Sequence, residues 1–193
     1  MPGAAVRVQV IGEAAWQIRL GGDDWKQSIH HPTAALTPTA PELVADVRRI
    51  MAARLDLAAT RGCDGVEPDN VDGYSNKNGL GLTPDDQLDY NRYIADQAHQ
   101  RGLAVALKND LDQVAALEPS FDFAVNEQCN QYKECAKLKP FTTAGKAIFN
   151  AEYAAKYKKA GEQATLCDAS RAADIRTLVL AKKLNDSYRY SCD

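Results

Sequence analysis

The stretch LAVALKND, residues 103–110, constrains this chain more than any other. Its apolar run has the length of a strand and is too short for a helix, and near-continuous runs of this kind mark strands buried on both faces. Such strands belong to parallel sheets covered by helices. The flanking segments obey the same order. Upstream, PELVADVRRIMAARLDLAATRG places Leu43, Val44, Val47, Ile50, Met51 and Leu55 at helical spacing. Pro41 suits its first turn and Gly62 its end. A short strand follows at Gly65, Val66 and Glu67. In TPDDQLDYNRYIADQAHQRG, Thr83 is placed as an N-cap and Pro84 as the first helical residue. Asp85 and Asp86 favour the positive helix end, and Gly102 stops the helix.

Beyond the run, Asp110 is placed to cap LDQVAAL, with Gln113 completing a capping box. FDFAVNEQC reads as a strand that turns polar, and NQYKECAKLKPFTTAG as irregular helix. KAIFNAEY reads as a further strand and ASRAADIRTLVLAKKLND as a final helix. Residues 1–40 are less periodic. AVRVQVIG alternates like a strand with Val6, Val8 and Val10 on one side, LGGDDW is a turn, and HHPTAALTPTAP is a proline-rich loop. Strands alternating with helices through short connections predict an α/β fold with a parallel sheet in one domain.

Each predicted strand ends in polar side chains: Glu67 and Asp69; Lys108, Asn109 and Asp110; Asn126, Glu127 and Gln128; Asn150, Glu152 and Tyr153. Parallel α/β folds bind ligands at the carboxyl ends of their strands. The plainer alternative is that loops simply begin with polar residues. Loops usually open on Gly, Ser or a lone Asp, not on Glu, Lys and Asn at four strands in succession. The acidic crowd in GCDGVEPDNVDGY (Asp64, Glu67, Asp69, Asp72) has a chemical use. Glycoside hydrolysis needs one carboxylic acid to protonate the leaving oxygen and one carboxylate to attack the sugar or activate water.

Other chemistries find little support. The net charge of -3 offers no broad field for nucleic acid or an anionic membrane, and no apolar stretch spans a bilayer. His30 and His31 lack neighbours with metal-ligand spacing, and His99 lies on a helix face. No Cys-x-x-Cys pair, phosphate-binding glycine loop or Gly-x-Ser-x-Gly elbow occurs. DNVDGY lacks the spaced oxygens and terminal Glu of a calcium loop.

GCDGVEPDNVDGY, LAVALKND, FDFAVNEQC and KAIFNAEY together resemble the strand-end motifs of glycoside hydrolase family 114, the endo-α-1,4-polygalactosaminidases. The resemblance runs from about Ile50 to the C-terminus. It implies a TIM-type (β/α)8 barrel that cleaves internal linkages of galactosamine polymers. Only about 40 residues precede the first helix here. The expected form is therefore an incomplete barrel over 41–193, resembling strands five to eight, preceded by a divergent segment over 1–40. Carried over by motif, Asp69 of EPD and Glu127 of NEQ are the catalytic pair, with Glu127 as acid/base and Asp69 as nucleophile of a retaining mechanism. Around them, Glu67 is either a substrate contact or a core carboxylate held by Lys108, which balances the charges. Asp72 bonds the sugar or caps its loop, and Asn70 and Asn109 suit hydroxyl recognition. Tyr74 and Tyr153 stack on sugar or simply pack. Asp110, Asn126, Gln128 and Glu152 complete the expected substrate-binding set. No cofactor or metal is expected, and the partner is the polysaccharide, met by a monomer. A metal-dependent hydrolase on the same acidic cluster and an inactive sugar-binding remnant are the alternatives.

The family is largely secreted, whereas MPGAAVRVQVIGEAAW interrupts its apolar part with Arg7 and Glu13. Extracellular location is then expected only with a different N-terminus. The resemblance and the count of five cysteines favour two bridges, Cys129–Cys135 and Cys167–Cys192, the latter flanking a final helix. Cys63 is left as a small core residue, and five free thiols are the alternative.

Overall fold

Strands form where the apolar runs predict them, and all of them join one sheet. The computed structural model describes residues 8–10, 40–76 and 81–192. Among these residues the sheet has seven strands in chain order: β1 (Val8–Val10), β2 (Gly65–Glu67), β3 (Ala104–Lys108), β4 (Phe123–Glu127), β5 (Ile148–Glu152), β6 (Arg176–Leu180) and β7 (Arg189–Ser191). β1 to β6 are parallel neighbours, and β7 runs antiparallel to β6. Between them lie α1 (Ala40–Thr60), α2 (Pro84–His99), α3 (Val114–Leu117), α4 (Cys129–Tyr132), α5 (Lys139–Thr143) and α6 (Ala160–Ala172). Among the described residues the sheet does not close on itself: it is an incomplete (β/α) barrel. The rest of AVRVQVIG, the LGGDDW turn, the proline-rich loop, His30 and His31 lie outside the described residues.

The helices start and stop for local reasons. In α2 the Thr83 side chain accepts from the Asp86 N–H while the Asp86 carboxylate accepts from the Thr83 N–H, a complete capping box. Gly102 ends it at φ +70°, which lets Leu103 N–H return to Ala98 C=O. On α1, Val47, Met51, Leu55 and Ala58 are buried at helical spacing, whereas Val44 is 39% exposed. Gly65 brings β2 and β3 together, because a Cβ there would meet Ala104 O at 2.8 Å.

The pleat gives the sheet two unlike faces. Val66, Val105, Leu107, Ala124 and Ile148 point to one side and join α1 and α2 in the main core. Val179 faces the same way, into a smaller cluster with Leu166 and Cys167 of α6. The opposite face carries Glu67, Ala106, Lys108, Val125, Glu127, Phe149 and Leu178, as the strand registers require. It is buried around β3 but opens toward β5, where Phe149 is 45% exposed.

Two expectations change. The segment read as a final helix is instead the end of α6 followed by β6, with β7 just beyond it. Ile175, Thr177 and Val179 are β-branched and buried, and pairing with β5 from Phe149↔Arg176 to Glu152↔Val179 overrides the helix-favouring Leu, Ala and Lys around them. Asp110 does not cap α3: the helix begins later, with Gln113 at its N-cap and no side-chain cap. Asp110 is in the left-handed region at φ +47° and its carboxylate turns to Asn91, while the Gln113 amide donates to Pro84 C=O.

Both expected bridges are present. Cys129–Cys135 closes the loop after β4 with a Cα separation of 4.7 Å. Cys167–Cys192, at 4.9 Å, joins the interior of α6 to the end of β7 rather than flanking a helix. Cys63 is half-buried against the main core.

Candidate active site

The site is organised around one buried ammonium. Lys108 ends β3 on the open face of the sheet and is 6% exposed. Its Nζ lies 2.9 Å from Asp69 Oδ1, 3.2 Å from Glu67 Oε1 and 3.7 Å from Glu127 Oε2. Burial alone would pull its pKa down. The hydrogen bond to Asp69 and the charges of Glu67, Asp69 and Glu127 more than reverse this, and the net direction is upward. The expectation that Lys108 balances the carboxylates is met, and Glu67 takes the core-carboxylate place: burial raises its pKa, and Lys108 opposes the rise.

Local geometry places each partner. Pro68 ends pairing on β2, and Asn70 at φ +55° turns the chain so that its N–H donates to Asp69 Oδ1 at 2.9 Å. Both the Asn70 and the Lys108 bonds fall on Oδ1 and neither on Oδ2. Glu127 is two residues beyond Val125, the register partner of Lys108, and so shares its face. Its Oε1 accepts from the Tyr153 hydroxyl at 2.6 Å, and its N–H donates to Asn109 Oδ1 at 2.9 Å. Asn126 Nδ2 donates to that same Asn109 oxygen at 3.2 Å. Burial raises the Tyr153 phenol, and the bond to Glu127 raises it further.

The distances from Lys108 bound the carboxylate pair. Asp69 Oδ1 and Glu127 Oε2 can be no farther apart than the sum of 2.9 Å and 3.7 Å. That ceiling sits at the lower edge of the roughly 6.5–9.5 Å separation of inverting glycosidases.

A cleft of about 270 Å³ opens beside Glu127, lined by Asp72, Tyr74, Asn109, Asp110 and Asn126 among the expected residues. Tyr132, Glu134 and Lys137 line it as well and were not anticipated. They lie in or just after the loop that Cys129 and Cys135 close, so that bridge was the available signal. Lys137 pairs with Asp112 at 2.8 Å and Glu134 at 3.2 Å. Asp110 is 3% exposed. Burial pushes its pKa up to about 7, Asp72 and Asp112 add to the rise, and Tyr74 and Asn91 oppose it. Burial likewise raises Asp72, and takes Tyr74 to about 12 with help from Asp110.

Two expected contacts, Glu152 and Gln128, fall elsewhere, and the strand-end Asn150 is occupied beside them. Glu152 is fully buried on the helix-covered face, where Asn130 and Asn150 contact its carboxylate, so its side chain does not reach the cleft. Gln128, at φ +65°, donates to Gln131 within its own turn. Asn150 is buried and accepts from Cys129 N–H while donating to Thr177 Oγ1. His99 pairs with Asp122 at the surface, as expected of a helix-face histidine.

Among family models, that of glycoside-hydrolase family GH114 matches residues 37–193. The chain belongs to this family. Among solved structures, the crystal structure of Aspergillus fumigatus Ega3 in complex with galactosamine is similar at 39% identity and a TM-score of 0.71. The match covers 77% of this GH114 chain and 61% of the Ega3 chain, so the protein spans less than two thirds of that relative. The glycoside hydrolase domain of PelA from Pseudomonas aeruginosa shares the fold, at 15% identity and a TM-score of 0.54 over 76% of this chain and 64% of that one. A search of curated proteins finds no match.

Proposed function

We propose that this GH114 chain carries the catalytic half of a retaining glycosidase that cuts internal α-1,4 linkages of galactosamine-containing polysaccharide. The observation that carries the reading is the gathering of Asp69 and Glu127 around one buried ammonium at the strand ends. Tyr153 occupies Glu127 Oε1, so the transferable proton belongs on Oε2. Glu127 donates that proton to the glycosidic oxygen as Asp69 Oδ2 attacks the anomeric carbon, giving a glycosyl-enzyme. Glu127 then takes a proton from water, which displaces Asp69 and restores both groups. Lys108 orients Asp69 through Oδ1 and remains charged throughout. Its ammonium also fills the centre of the acidic cluster, where a divalent ion would meet repulsion, which disfavours the metal-dependent alternative.

The substrate class rests on Ega3, whose structure holds galactosamine, and on the acidic cleft, whose field attracts a polymer bearing free amines. The two bridges favour an oxidising, extracytoplasmic setting. The test is digestion of a galactosamine polymer with the anomer of the first product followed by NMR. Retention, unaffected by a chelator, is expected. An inverted first product would remove the nucleophile role of Asp69, loss on chelation would select a metal hydrolase, and binding without cleavage would select a sugar-binding remnant.

A further inference from the structure

Glu152 is a fully buried carboxylate that the mechanism above does not use. Its Oε1 accepts from the Asn130 backbone N–H at 2.8 Å and from Asn150 Nδ2 at 3.1 Å. Asn150 Oδ1 accepts from the Cys129 N–H at 3.4 Å, and Asn150 Nδ2 donates to Thr177 Oγ1 at 3.4 Å. These bonds hold the first amides of α4, the single turn that begins right after Glu127 and the left-handed Gln128. A four-residue helix has too little of its own hydrogen bonding to fix its position. The Cys129–Cys135 bridge closes this loop on itself but does not tie it to β5. Burying a carboxylate carries a free-energy cost that its hydrogen bonds must offset. Here burial raises the Glu152 pKa, and the bonds from Asn150, Asn130 and Gln131 oppose the rise.

The next residue of the same strand end completes the arrangement. Tyr153 follows Glu152 and projects toward the opposite face, where its hydroxyl reaches Glu127 Oε1. The end of β5 therefore touches Glu127 twice: through the backbone that follows it, from behind the sheet, and at the carboxylate, from in front.

We infer that Glu152 is a positioning residue for Glu127: it anchors the amides after Gln128 and so sets where the acid/base carboxylate stands. The catalytic part of this inference rests on the glycosidase reading above; the geometric part does not. It is tested in the full chain with Glu152→Gln, Glu152→Ala and Glu152→Asp. The Gln carbonyl can replace Oε1 as the acceptor, Ala supplies none, and Asp withdraws the acceptor by about one methylene.

Misplacing a catalytic group by about 1 Å can cost about 100-fold in rate. Glu152→Ala should therefore lower kcat by about 10- to 100-fold with KM within about threefold, and Glu152→Gln should restore kcat to within about threefold. Two readouts need no activity. The Glu127 carboxyl titration, followed by carbon NMR, should move in the Ala variant and return in the Gln variant, and exchange at the Asn130 amide should accelerate in Ala and Asp but not in Gln. If Glu152→Ala does not fold, Glu152→Asp decides by the same readouts. A variant that loses stability while its folded fraction keeps wild-type kcat and an unmoved Glu127 titration would overturn the inference. If the wild type fails to cleave the polymer, the glycosidase reading falls, while the NMR titration and amide exchange still decide the positioning.

Discussion

Glu127 and Glu152 end adjacent strands, yet they live on opposite faces of the sheet. Glu127 stands on the open face beside Lys108 and the cleft, while Glu152 is sealed on the helix-covered face. The register makes the contrast unavoidable: Glu127 pairs with Ala151, so Glu152 lies one step further and points the other way. The same difference separates Leu107 from Lys108, one buried in the main core and the other in the charged cluster. The open face collects charge where reacting groups can meet, and the covered face supplies the rigidity that keeps them there.

The hardest way to break the contrast is on the open face. Asp69→Asn or Glu127→Gln should lower kcat at least about 10³-fold while leaving the thermal melt within a few degrees of wild type. Near-normal turnover in either variant would end that residue's role. On the covered face the opposite pattern is expected. Leu107→Ala removes a fully buried side chain and should cost about 2–5 kcal/mol by denaturant unfolding, with little change in kcat for the folded fraction. An equal loss of rate would show that the two faces are not separable.

Asp110 sits between the two regimes, buried yet bordering the cleft. Folding raises its pKa from 3.8 to about 7, so the folded chain holds this proton more tightly than the unfolded one. Its contribution to stability is full below about pH 4 and is lost as pH climbs to about 7. Asp110→Asn, which keeps an oxygen for Asn91 and tolerates positive φ, should remove that loss and gain on the order of 2 kcal/mol at pH 8. A less stable variant at pH 8 would mean that the charged carboxylate is itself required. The smallest effect belongs to Phe149, 45% exposed on the open face and edge-on to Phe123 at 6.0 Å. Phe149→Ser should stay within about 0.5 kcal/mol of wild type. A loss of 2 kcal/mol or more would show that this face is covered in solution.

Much of this was legible from residues 41 to 153. Near-continuous apolar runs announced β3 and its neighbours, and caps such as Thr83 announced the helices, because these signals are local. Which strand-end residue faces the cleft was not legible. A period of two separates the faces but does not say which one the helices cover, so Glu152 and Glu127 read alike. Asp110 looked like a cap because its left-handed backbone leaves no mark in composition. β6 was hidden in Leu-Val-Leu-Ala-Lys-Lys, which favours a helix until β5 offers a partner. The Lys108 cluster was anticipated because a single cation among so many carboxylates has few other places to go.

The reversed direction of β7 has a consequence beyond the site. A strand running against its neighbour cannot extend a parallel series by another right-handed crossover, and the Cys167–Cys192 bridge fastens the chain directly behind it. Extending the parallel series at this margin, as repeat duplication would, is disfavoured by polarity and by a covalent tether. A βα unit grafted beyond β7 should therefore lower the yield of folded protein, measured as soluble expression.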